Sequence, residues 1–212
     1  MFRLFRRKKR VCECKADFYD DLYRSGGHLG QYHVHYTESR YHPVWQRGLE
    51  IISTRDNPRV LDIGCGPGQF ARLLYDNGIT SYMGIDCSPA AIELAHKNVP
   101  QWQEKFFVTD ILKMDTLPGD FDFIVLFEVL EHIEFDLNLL RLIPHGTSIL
   151  FSVPSFESAS HVRRFKTSRK VRKRYQPLID IIELEAFTDC PEPGKTIFLV
   201  FGTMKPLNVE HH

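Results

Sequence analysis

The chain has no surplus of charge: 27 lysines and arginines stand against 27 aspartates and glutamates in 212 residues. That balance argues against a protein that grips nucleic acid over its whole surface, although it leaves room for a local basic patch. No apolar run is long enough to cross a bilayer, and the first residues hold no secretory apolar core, so no membrane span is expected and the expected location is the cytoplasm. Cysteine is sparse and odd in number (Cys12, Cys14, Cys65, Cys87, Cys190), which fits reduced thiols better than a disulfide framework. Cys12 and Cys14 lack a second pair nearby that would complete a zinc site. Internal repeats are also missing.

What remains is an ordinary globular balance, 43% hydrophobic and 25% charged, in a length that suits one α/β domain with a full core and a small cap. The organising stretch is Val60 to Phe70, VLDIGCGPGQF. An apolar run heads into Gly64, Gly66 and Gly68, and an apolar-periodic stretch follows, so the segment reads as strand, tight turn and helix. Glycines suit a backbone that must turn sharply and lie against a ligand. The helix start behind them aims free N–H groups into the same crevice.

A dinucleotide site would have a different glycine spacing. Here the pattern is Gly-x-Gly-x-Gly, and Asp62 precedes it by two residues. A carboxylate at that point would repel a pyrophosphate but suit a ligand with an ammonium and a sulfonium. VLDIGCGPGQF resembles the first motif of the class I S-adenosylmethionine-dependent methyltransferases.

Further apolar runs extend the resemblance. Tyr82 to Ile85 reads as a strand ending at Asp86, 22 residues after Gly64, where a carboxylate takes both ribose hydroxyls of a nucleoside. GIDCSPAAIELA resembles the second family motif, with Cys87 and Ser88 beside Asp86. Phe106 to Val108 reads as a third strand, and the resemblance implies that Asp110 and Ile111 meet the adenine. An Asp at that point also suits a simple turn cap. Strands at Phe123 to Leu126, Ser148 to Val153, Ile179 to Phe187 and Thr196 to Thr203 follow, with a helix from Phe135 to Leu142. The expected fold is α/β: a Rossmann-like, seven-stranded, mainly parallel sheet with an antiparallel edge hairpin, helices on both faces and an N-terminal lid. The expected divisions are a basic tail over 1–15, the lid and lead-in helix over 16–57, the cofactor-binding domain over 58–206, and a tail over 207–212 whose VEHH looks like a tag remnant.

The family resemblance implies S-adenosyl-L-methionine as cofactor and S-adenosyl-L-homocysteine as product. Asp62, Gly64, Cys65, Gly66, Gly68, Asp86, Cys87, Ser88, Asp110, Ile111, Phe127 and Glu128 are the implied cofactor contacts. Tyr36 and Tyr41 join them from an aromatic, histidine-rich segment between Ala16 and Trp45.

For the chemistry, His132 is the first candidate general base, just past the fourth strand, and His161 is the second. Glu128, Glu131 and His132 would share one side of a helical turn, and with His161 they would form a two-carboxylate, two-imidazole metal site. This arrangement resembles the small-RNA 3′-end 2′-O-methyltransferases, where a divalent ion orients vicinal ribose hydroxyls. A similar run occurs in ubiquinone-pathway O-methyltransferases. The basic run Arg163 to Arg174 suits a phosphorylated partner or a solvated helix face. The expected activity is O-methylation of a small-molecule or sugar hydroxyl. Metal-assisted methylation of an RNA end is one alternative, and a non-catalytic cofactor-binding module is another.

Overall fold

The computed structural model describes residues 13–206, so the basic opening run, Cys12 and the terminal VEHH lie outside the described residues. Seven strands form: β1 (Val60–Ile63), β2 (Tyr82–Asp86), β3 (Phe106–Val108), β4 (Phe123–Phe127), β5 (Ser148–Pro154), β6 (Ile179–Thr188) and β7 (Thr196–Met204). They make one sheet in the order β3-β2-β1-β4-β5-β7-β6. The first five pair in parallel, whereas β7 runs antiparallel to both β5 and β6. The expected sheet and its edge hairpin are therefore present.

The helices are α1 (Ala16–Arg24), α2 (His42–Ile52), α3 (Gln69–Asp76), α4 (Pro89–Asn98), α5 (Asp136–Leu140) and α6 (Ser168–Tyr175), joined in places by short 3-10 turns. None of these helices is long and apolar enough to cross a membrane. α5 is shorter than the apolar run predicts. Its last turn tightens to hydrogen bonds from Leu142 N to Leu139 O and from Ile143 N to Leu140 O just ahead of Pro144.

Every residue of β1 is buried, as expected for a parallel strand covered on both faces. Its period of two sends Val60 into one apolar layer with Leu49, Ile52, Leu73 and Leu74, and sends Leu61 and Ile63 into the other with Leu139, Val171 and Tyr175. Asp62 shares the face of Val60, which is why it meets Tyr82 at the strand end. After β3 the chain returns to build the other half of the sheet from β4, so the switch in strand order lies between β1 and β4. The crevice at the carboxyl ends of those strands is where an open α/β sheet binds its ligand.

Candidate active site

A cavity of about 1010 Å³ occupies that crevice. Its floor comes from the ends of β1, β2 and β4, including Asp62, Gly64, Cys65, Gly66, Asp86, Cys87, Phe127 and Glu128, with Asp110 and Ile111 at one end. Its other wall is the N-terminal segment, which contributes Tyr19, Tyr23, Tyr32 and Tyr41. Tyr36, Gly68 and Ser88, expected as cofactor contacts, do not line the cavity. The Tyr36 hydroxyl instead lies against Asp76 on α3.

The three glycines have different work. Gly64 sits at φ 74° and a Cβ there would come within 2.5 Å of Val129 Cγ2, so only glycine lets the turn pass beneath the loop after β4. At Gly66, φ 54°, a Cβ would be 3.1 Å from the Tyr23 hydroxyl of the covering segment. Gly68, φ 75°, serves helix packing, because its Cβ would press on Ala95 of α4 at 3.1 Å. Ser88 also supports α4: its Oγ accepts from Ala91 N at 3.1 Å in the manner of a helix N-cap.

The N-terminal segment is tied down by polar contacts. Asp20 on α1 accepts from Ser88 Oγ at 2.5 Å and from Ala90 N at 3.0 Å, which places its charge at the positive end of α4 and holds its carboxyl below the usual range. Gln69 donates to the carbonyls of Gln31 and Val34 at 3.0 and 2.8 Å. Arg40 pairs with Glu192 of the edge hairpin at 2.6 Å. The sequence reading missed Asp20 and Gln69, since neither stands out in composition or periodicity.

Two acidic groups face the glycine turn. Asp62 accepts from Tyr82 Oη at 2.9 Å, and burial pushes its carboxyl up to about 7. Asp86 accepts from Gly66 N at 3.0 Å and Ser88 N at 2.9 Å, and burial pushes it up to about 6 against those hydrogen bonds. Both carboxyls are fixed, and each keeps lone pairs for a ligand in the cavity. Asp110 behaves as a turn cap, accepting from Leu112 N at 3.1 Å and pairing with Lys113 at 3.0 Å while it lines the cavity.

The loop after β4 departs from the expected helical turn. Glu128 is left-handed, with φ 54°, and its N–H donates to Ser152 Oγ at 2.9 Å while that hydroxyl donates back to Glu128 Oε1 at 2.9 Å. A non-glycine residue held this way stores backbone strain at the site. The chain then makes one turn, closed by His132 N to Val129 O at 3.0 Å. Glu131, His132 and His161 come together with ligand atoms all within 4.8 Å of one another. Glu128 is outside that trio, so three of the four expected metal ligands cluster and the fourth instead bonds Ser152.

His132 Nδ1 lies 3.1 Å from Ser160 O, and His161 Nδ1 lies 3.2 Å from Phe156 O. A carbonyl only accepts, so each neutral ring carries its proton on Nδ1 and leaves the Nε2 lone pair free. Both Nε2 atoms face Glu131 Oε1, at 3.7 and 3.9 Å, beyond hydrogen-bond reach. Burial, then His161, pulls His132 down to about 4, and burial also lowers His161. Glu128 is pushed up to about 7 by burial, and Glu131 is pushed well above its usual value by burial and by Glu128. Glu131 is fully buried, and among the described residues neither of its oxygens has a partner at good hydrogen-bond geometry, although the Glu128 carboxyl lies against it.

Arg163 locks this loop. It donates to the carbonyls of Leu130 and Ile133, and to Glu134 O at 2.7 Å. It also pairs at 3.3 Å with Asp136, a fully buried acid that accepts from Arg174 at 2.5 and 2.9 Å and from Tyr175 Oη at 3.0 Å. Two members of the basic run are thus structural. The cavity itself is acidic, with nine carboxylic acids and three lysines among its lining residues.

Residues 35–186 match a family model described as a methyltransferase domain. The mitochondrial ubiquinone biosynthesis O-methyltransferase of Schizosaccharomyces pombe is 32% identical over 104 residues, 45% of this chain and 38% of that protein. The ubiquinone biosynthesis O-methyltransferase of Coxiella burnetii is 27% identical over 143 residues, covering 65% of this chain and 58% of its own. The matches thus span about half the length of these relatives. Among solved structures, the N-methyltransferase NodS of Bradyrhizobium japonicum, in complex with S-adenosyl-l-homocysteine, superposes with a TM-score of 0.60 at 19% identity, over 80% of this chain and 90% of that one.

Proposed function

We propose that this chain, which belongs to the class I S-adenosylmethionine-dependent methyltransferases, methylates a hydroxyl of a small molecule or sugar, with His132 as general base. The fold hosts both O- and N-methyltransferases, so the acceptor has to be argued from the site. The observation that carries the reading is the His132 ring. Its proton is fixed on Nδ1 by Ser160 O, its Nε2 lone pair is free inside the cavity, and burial keeps it neutral at physiological pH.

S-adenosylmethionine supplies a methyl group on a positively charged sulfur. The glycine turn at Gly64 and Gly66 would hold it, Asp86 would take its ribose, and Asp62 would favour its cationic end. The residues of this chain then have three tasks. Tyr19, Tyr23, Tyr32 and Tyr41 exclude water from the crevice, Glu131 and His161 orient an acceptor hydroxyl, and His132 Nε2 removes its proton. The acidic lining weighs against an RNA end as acceptor, because besides the four acids that burial raises it carries Glu13, Asp17, Asp110, Glu157 and Glu192, which outnumber its three lysines and would repel a phosphate chain.

A second reading rests on the convergence of three lone-pair donors on one point. Glu131, His132 and His161 would hold a divalent ion that polarises the hydroxyls of a vicinal diol. Calorimetric titration with S-adenosylhomocysteine, with and without Mg²⁺, Mn²⁺ or Zn²⁺, on the wild type and Glu131→Gln, separates the two. Cofactor binding without a metal response supports His132 acting alone, and metal binding lost in Glu131→Gln supports the second reading. Failure to bind the cofactor overturns both.

A further inference from the structure

The lysines that line the cavity differ in their surroundings. Lys15 lies at the start of α1, and Lys113 pairs with Asp110 at 3.0 Å. Lys195 comes from the turn between β6 and β7 and joins the wall that carries the two histidines. Its Nζ stands 4.7 Å from the centre of the Phe156 ring, that ring lies 5.7 Å from His161, and His161 lies 4.9 Å from His132. Burial, and after it the Lys195 charge, lowers His161.

The turn that presents Lys195 is held by its own backbone. Lys195 N donates to Glu192 O at 3.0 Å, Cys190 N to Lys195 O at 3.2 Å, and Gly194 N to Asp189 Oδ1 at 2.8 Å. Cys190 Sγ donates to Arg40 O at 3.2 Å, which ties the turn to the N-terminal wall. Glu192 pairs with Arg40 at 2.6 Å and with Lys195 at 2.9 Å, so one carboxylate is shared by two cations. Glu157, which also lines this part of the cavity, pairs with Arg164 at 2.7 Å. Asp189 is exposed and does not line the cavity. The two carboxyls nearest the histidines, Glu128 and Glu131, are raised by burial and oppose an anion less than ionised acids would. Positive charge is therefore left over beside Phe156 and His161, within a cavity that is acidic elsewhere.

We propose that Lys195 anchors an anionic group of the acceptor, so that the molecule to be methylated carries a carboxylate or phosphate at one end and the reacting hydroxyl at the other. The inference rests on the methyltransferase reading above and narrows its acceptor to a hydroxylated anion. An ammonium offers three donors, of which Glu192 takes one, and the rest remain for a ligand. With the anion on Lys195, the body of the acceptor lies along Phe156 and His161, and its hydroxyl reaches His132 Nε2. A single anionic group is met by Lys195, whereas a phosphate chain extends to Glu13, Asp17 and Asp110.

The test is calorimetric titration of the full chain, with and without S-adenosylhomocysteine, using 4-hydroxybenzoate, phenyl phosphate and the neutral 4-hydroxybenzamide as probes. At least one of the two acids should bind about tenfold or more tightly than the amide, the effect of one charge-assisted hydrogen bond, and the acid preferred tells carboxylate from phosphate. Lys195→Gln should remove that preference and Lys195→Arg should keep it, with S-adenosylhomocysteine affinity and thermal melts unchanged in both. A purely structural lysine would weaken acid and amide alike. Equal binding of acids and amide, no binding of either acid, or a preference that survives in Lys195→Gln overturns the proposal. Acid binding through Lys195 in a chain that fails to bind S-adenosylhomocysteine would leave the anchor intact and overturn the methyltransferase reading instead.

Discussion

His132 and His161 sit edge to face, ring centroids 4.9 Å apart and planes at 71°, each with Nδ1 on a backbone carbonyl and Nε2 toward Glu131. Two neutral rings locked in the same tautomer beside an unsatisfied carboxyl form a proton acceptor that needs no rearrangement. His132→Gln is expected to lower kcat by roughly 10²–10⁴-fold, the usual share of a general base. S-adenosylhomocysteine affinity should stay within about twofold if, as proposed, the ring serves the acceptor and not the cofactor. Normal turnover in the variant removes His132 as the base.

The pH-rate profile follows from the same ring. A base pulled down to about 4 is already deprotonated at neutrality, so lowering the pH through 6.5 should not protonate it. Under saturating cofactor and acceptor, kcat should show no acid limb near 6.5, and any fall owed to His132 should come near pH 4. An acid limb near 6.5 that disappears in His132→Gln would refute the assignment.

Stability of the ligand-free protein should fall as pH rises through neutrality. Asp62 and Glu128 are raised to about 7, and Asp86 to about 6. A carboxyl raised in the folded state contributes stability that is complete below its unfolded value and lost as pH rises through the folded one. His132 opposes this between about 4 and 6.5, where the unfolded ring takes up a proton and the folded ring does not, and His161, also lowered by burial, acts the same way; four carboxyls, Glu131 among them, act in the other direction. Urea melts between pH 5 and pH 8 should show decreasing stability, and Asp62→Asn, which keeps an acceptor for Tyr82, should flatten the curve. Stability that increases over that range would contradict the burial of these acids.

How much of this could be read from the sequence depends on whether a contact is local. The sheet was legible because most of its strands are short apolar runs and β6 mixes apolar with polar residues, and the Gly64 turn because its spacing is local. Glu131 and His132 were legible as neighbours, but the left-handed Glu128 was not. That conformation is stabilised by Ser152 on β5, 24 residues away. Tyr36 and Tyr41 look alike in an aromatic-rich segment. Only the path of the chain over α3 sends Tyr41 into the cavity and Tyr36 to Asp76. The basic run gave no sign that Arg163 and Arg174 would share Asp136, a buried acid between 27 and 38 residues earlier.

Asp20 should control closure of the N-terminal wall. α1 buries none of its residues completely, so its position depends on Asp20 at the start of α4 and on the tyrosines facing the cavity. Asp20→Ala removes a capping-type interaction of about 1 kcal/mol. Amide exchange across residues 16–24 should speed up, and S-adenosylhomocysteine affinity should fall by about fivefold, as expected if that energy is used to hold the wall closed. Unchanged exchange would mean that the tyrosines alone hold α1.

Arg163 should position the catalytic loop without touching the substrate. Its guanidinium bonds three carbonyls between Leu130 and Glu134, so Glu131 and His132 are placed by a residue from the next loop. Arg163→Met fills the same space but supplies no donors, and Asp136 keeps Arg174 and Tyr175. Hydrogen bonds from a charged donor contribute about 1.5–3 kcal/mol, so a stability loss of that size is expected. A purely structural role would stop there. Positioning predicts in addition that kcat falls while S-adenosylhomocysteine affinity and acceptor KM hold, and that Arg163→Lys restores part of kcat. If kcat and both affinities decline together in proportion to the folded fraction, Arg163 stabilises the domain and does not set the geometry of His132.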